Sequence, residues 1–206
     1  MLKRISAILT LVGGLIFAAA TIFHPPLTNP WDVSYAFKEV NAHEHWILDH
    51  WFFLSGLTLW LIGLAQLADG EQNRSRNAAR LFIGSLTLWY IILAAELAVL
   101  PQLLSTILIE GKTYYQPIWN ALFTWGLFAG YLAMFFVYIG IILLAINDQG
   151  VLRMLGIITG GIALMATLLL FAHPNLSIYL AMPSLLPFLW TLWFAIKRMV
   201  NPHPLK

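Results

Sequence analysis

The 206-residue sequence contains no cysteine. That absence removes disulfide staples, thiolate nucleophiles, zinc–thiolate sites, iron–sulfur clusters and thioether-attached haem together. Charge is nearly as scarce. Asp, Glu, Lys and Arg make up 10% of the chain, whereas soluble domains carry roughly 25%. The formal net charge is +2, and the few cations form no basic patch, which excludes nucleic acid as a partner. A Gly-rich phosphate loop, a Gly-x-Ser-x-Gly elbow and a His-Glu-x-x-His zinc-protease pattern are missing as well, and no run of carboxylates suits calcium.

What is present in quantity is apolar sequence, 60% of residues, with a mean hydropathy of +0.80. Runs near the roughly 20 residues that cross about 30 Å of hydrocarbon fall at 5–23, 46–67, 81–100, 119–146, 154–172 and 177–196. In a bilayer each run must satisfy its own amides, and the alternation of a barrel strand is absent. The expected architecture is therefore an all-α integral membrane protein: one domain over residues 1–206, built as a bundle of six transmembrane helices. Residues 69–79 form its polar connection between the second and third spans. The segment 34–45 is expected to extend the second span, and Leu103, Leu104, Ile107 and Leu108 to line a short interfacial helix.

Orientation follows from the cations. With six alternating spans, Lys3, Arg4, Arg74, Arg76, Arg80, Arg153, Lys197, Arg198 and Lys206 fall on one side, leaving Lys38 and Lys112 on the other. The positive-inside rule then places both termini in the cytoplasm, in a bacterial-type inner or plasma membrane. Trp31, Trp46, Trp51, Tyr114, Tyr115, Trp119 and Tyr179 are expected as the opposite aromatic belt. Lys3-Arg4 before an apolar stretch also resembles a secretory signal, but the run continues through Thr21-Ile22-Phe23, which favours a retained span. Gly-Gly pairs in the first and fifth spans, at 13–14 and 160–161, read best as sites of close helix packing.

Histidine is distributed one-sidedly. His24, His43, His45, His50 and His173 fall at the outer face, and only His203 lies in the cytoplasmic tail. Imidazole is the commonest metal ligand, although a single outer-face His more often caps a helix or sits in the wet interface. His24, His50 and His173 reach a similar depth, as does Glu96, the one acidic residue well inside a span. An intramembrane carboxylate is costly enough to suggest function. The expectation is an outward-facing site of His24, His50, His173 and Glu96 that binds a transition metal ion (Zn, Cu or Fe) or a b-type haem. On a continuous helix His43 would share a face with His50, while Asp49 would hold His45, which makes these three the alternates or outer supports of the site. Redox or metal-assisted chemistry on a lipid-soluble substrate is the matching activity. A non-catalytic accessory subunit of a larger membrane complex, holding lipid or pigment, is the alternative. A transporter fits less well, because no broken helix or midplane charge is evident. The partners expected are the lipid bilayer and other membrane subunits.

Overall fold

The computed structural model describes residues 2–24, 32–68, 73–173, 176, 179 and 182–200. Among them every regular element is helical. The helices are α1 (Leu2–Phe23), α2 (Val33–Ala42), α3 (Trp46–Ala68), α4 (Asn73–Ala94), α5 (Leu100–Leu108), α6 (Gln116–Ile146), α7 (Gly150–Ala172) and α8 (Leu185–Val200). A π turn, Ala95–Val99, joins α4 to α5 without a break. Five helical runs are long and apolar enough to cross a membrane: α1, α3, α4 through α5, α6 with its leading 3₁₀ turn, and α7. The protein is thus an all-α membrane protein.

The last helix differs from expectation. α8 has 16 residues, about 24 Å at 1.5 Å per residue, and it begins at Leu185 rather than near residue 177. A 3₁₀ turn, Met182–Ser184, precedes it, and Pro187 is tolerated only in its first turn. Residues 177, 178, 180 and 181 of the expected span lie outside the described ones.

Six helices form a closed ring in the order α1, α3, α4, α6, α7, α8, with α8 packed back on α1. Neighbours run antiparallel. The α1–α3 seam pairs Lys3 with the last turn of α3 and His24 with its first, and the α4–α6 seam pairs Ser75 with Asn147 and Trp89 with Gly130. Small residues let backbones approach: a Cβ at Gly13 would strike the Trp60 backbone nitrogen, and one at Gly56 would lie 2.9 Å from Phe17 Cα. Gly14 and Gly160 are packed likewise, whereas Gly161 faces open space. Leu57, Trp60 and Leu61 of α3, Phe82 of α4, Ile141 of α6 and Phe194 of α8 are fully buried in the ring's core.

Three further expectations change. α4 starts at Asn73, so much of the expected polar connection is helix, with Arg76 and Arg80 bonded to Asn73 and Asn77 one turn back. α2 does not extend α3: it ends at Ala42, His43 is extended (φ −88°, ψ 97°), and α3 restarts at Trp46. The segment after Pro101 is no separate interfacial helix but the end of a 36-residue helical run, Asn73–Leu108, roughly 54 Å long and well beyond a 30 Å hydrocarbon core. That overhang, α2 and the start of α6 form a second small core of Ala36, Val40, Trp46, Leu100, Ile107 and Trp119. Trp46 and Trp119 are therefore buried at 7% and 0% exposure instead of standing in the aromatic belt. Trp51, Tyr114 and Tyr179 are exposed, and Trp31 lies outside the described residues.

Candidate functional site

At the end of the ring away from the start of α1, the ends of three adjacent helices meet beneath this second core. α1 closes with His24, whose N–H bonds Ala20 O at 2.9 Å. α3 brings His50 one turn in from its start, and α4 delivers Glu96 in the π turn. The cause of that turn is legible in the chain. Pro101 has no N–H to offer the carbonyls of Glu96 or Leu97, so an α pattern cannot continue there, and the Leu100 N–H bonds back to Ala95 O instead. Trp46 Nε1 donates to the Glu96 carbonyl at 2.9 Å, so the indole stitches the start of α3 to the turn.

His50 is 2% exposed and held from both nitrogens. Nδ1 lies 2.6 Å from the Trp46 carbonyl oxygen, which only accepts, so Nδ1 carries the hydrogen. Nε2 then faces Glu96 Oε2 at 3.2 Å. A bare lone pair and a carboxylate would repel at that separation, so the contact demands a cation between them, a proton or a metal ion. The His24 ring lies 5.4 Å from the His50 ring, and Phe53 and Trp46 pack on both imidazoles. Across the seam, a Cβ at Gly126 would stand 3.8 Å from Glu96 Oε1, so the glycine leaves the second carboxylate oxygen uncovered.

The other expected residues go elsewhere. Asp49, 7% exposed, pairs through Oδ2 with His43 Nε2 and not with His45. The reason is the break before α3: the helical wheel across 43–51 does not apply, and His45 meets Asp49 only through its backbone carbonyl, with its side chain exposed. His173 caps α7 with its N–H on Leu169 O, and its side chain is exposed. α7 packs on α6 and α8, across the ring from α3. The structure thus brings together His24, His50 and Glu96, and separately His43 with Asp49; His173 and His45 join neither group. His203 lies outside the described residues. Among the described residues no group of three or more His, Asp or Glu is already arranged to hold a metal ion.

Sequence reasoning missed Trp46 and Gly126 as parts of the site. Trp46, four residues before His50, was readable as a helical neighbour, and Pro101, five residues after Glu96, as the cause of the turn. Compared with known proteins, the chain matches no family model, no curated protein and no solved structure.

Proposed function

We propose that the chain crosses the membrane six times with both termini cytoplasmic, and that His50 and Glu96, with His24 beside them, bind one transition metal ion at the outer end. One observation carries the site: His50 Nε2 and Glu96 Oε2 stand 3.2 Å apart, and two ligands each ~2.0 Å from a tetrahedral ion stand about 3.3 Å apart. The Trp46 carbonyl supports the same reading. It fixes the imidazole tautomer and leaves Nε2 free to ligate, as the outer partner of a metal-bound His does. Imidazole with carboxylate suits zinc, copper or non-haem iron. An ion is favoured over a b-type haem, since the Glu96 carboxylate stands 3.2 Å from Nε2, in the space a porphyrin ligated by that nitrogen would need. Redox or metal-assisted chemistry on a lipid-soluble substrate is the reaction class for such a site.

The six-span topology is supported by the closed ring, in which α8 completes the sequence of antiparallel neighbours, and by cations at the inner ends of α1, α4, α7 and α8. In this otherwise Cys-free chain, Asn73→Cys and Thr113→Cys should label from opposite sides of intact cells; labelling from one side refutes it. For the site, metal analysis and titration of purified full-length protein with Zn²⁺, Cu²⁺ and Fe²⁺ should show stoichiometric binding. His50→Ala and Glu96→Gln should abolish it, and His173→Ala should not. Wild-type protein that binds none of the three ions, or variants that bind as wild type does, would overturn the site.

A second reading, a non-catalytic subunit of a larger membrane complex, is favoured by an open apolar groove of about 570 Å³ along α7. Ile158, Ile162, Met165, Leu169 and Pro183 line it.

A further inference from the structure

Many helical Thr side chains in this protein share one bond. Thr10, Thr58, Thr159 and Thr167, among others, donate to the carbonyl four residues earlier, at 2.6–2.9 Å. That bond is the cheapest way to satisfy a hydroxyl away from water. Ser85 of α4 makes no such bond: it is 0% exposed, and its Oγ has no partner. One turn further along α4, Trp89 Nε1 is also buried without a partner.

The two orphans are neighbours. Residues four apart on a helix share a face, so Ser85 and Trp89 stand one turn apart on the same side of α4. On the α6 side, Trp89 meets Gly130, where a Cβ would stand 3.2 Å from its Cη2. Glu96 falls on the same stripe seven residues beyond Trp89, with Gly126 opposite. Three polar side chains are thus spaced along this side of α4, roughly 16 Å over the eleven residues from Glu96 to Ser85, with Ile92 packed between Glu96 and Trp89. Unpaired polar groups at this depth are destabilising unless something hydrogen-bonds them. A bound water needs two to four polar partners, and one hydroxyl, one indole N–H and the second lone pair of the Leu81 carbonyl are available on these turns. Trp119 Nε1 is unpartnered too, but its ring is enclosed by Phe37 and Phe123, and no second orphan shares its turn.

We propose that the α4–α6 seam inward of Glu96 is a water-binding site, with Ser85 Oγ and Trp89 Nε1 as its hydrogen-bonding partners. It extends the polar site from the outer mouth toward the middle of the bundle, and it stands whether or not the outer end binds an ion. X-ray radiolysis of the full-length protein in lipid nanodiscs tests it, because hydroxyl radicals formed from a bound water oxidise the side chain beside it even when bulk solvent is excluded. Two tryptophans serve as dry references: Trp60, 1% exposed with Nε1 bonded to Thr191, and Trp193, 44% exposed on an apolar helix face. Trp89 should be oxidised several-fold faster than either, and Ser85→Ala should slow it. A Trp89 rate equal to the references shows a dry seam and overturns the proposal. So does an unchanged rate in Ser85→Ala, which removes Ser85 as a partner. A map that resolves water gives a second check: ordered density within hydrogen-bonding distance of both atoms supports the site, and an empty or acyl-filled seam refutes it.

Discussion

At the inner end of the bundle one carboxylate meets two cations. Asp148 accepts from Lys197 at 3.4 Å and from Arg198 at 3.1 Å, Arg198 also lies over the Phe194 ring, and Asn147 donates to Ser75 at 2.9 Å. These contacts tie the α6–α7 turn to the ends of α4 and α8. At the opposite end His50 Nε2 and Glu96 Oε2 face each other at 3.2 Å, one imidazole to one carboxylate. The Asp148 cluster joins three elements through opposed charges and a hydrogen bond and reads as a clamp. The His50–Glu96 pair is, on the reading proposed above, a place for an ion.

The sharpest way to break that contrast is at the inner end. Asp148→Ala takes the carboxylate from the Arg198 guanidinium, whose side chain is 12% exposed, and should cost about 3 kcal/mol, nearly all through Arg198, since losing one partner of a buried ion pair is strongly destabilising. Lys197, at 40% exposure, adds little. Unfolding midpoints in detergent measure this, and a change below about 0.5 kcal/mol would show that the clamp contributes no more than a surface pair.

A smaller effect sharpens the outer end. Trp46→Phe keeps the aromatic packing on His50 but removes the donor to the Glu96 carbonyl; it should cost about 1 kcal/mol in the same assay and weaken metal binding without abolishing it. Binding identical to wild type would show that the indole does not position Glu96. The least effect belongs to Asp49→Asn, whose partner His43 is 21% exposed: stability should fall by less than about 1 kcal/mol and metal stoichiometry should hold. A loss of stoichiometry would place the His43–Asp49 pair within the ion site.

The spans were legible because bilayer-crossing helices need long apolar runs, and those runs are in the sequence whatever packs beside them. Depth was legible for the same reason, so His24, His50 and Glu96 were readable as one layer. Position around the ring was not, and His173, at similar depth on α7, ends across the bundle. Helix interruptions hid the rest. The wheel that paired Asp49 with His45 assumed continuity through residues 43–45, where His43 is extended and a turn follows. Trp46 and Trp119 looked like belt residues because nothing local reveals that α2 and α5 fold over them.

The π turn fixes the rotational phase of everything beyond it. One extra residue in a helix turns the following face by roughly 100°. Without it, Leu103 would continue the stripe of Ser85, Trp89 and Glu96, and the apolar residues of α5 would point along the α4–α6 seam. With it, Leu103, Leu104 and Ile107 pack into the second core with α2 and the start of α6 and roof the site, while Glu96 stays aimed at His50. A single helix thereby serves two different walls. A one-residue deletion within 95–99 would remain helical and apolar by every compositional measure, yet it would put the roof and the carboxylate out of register with each other.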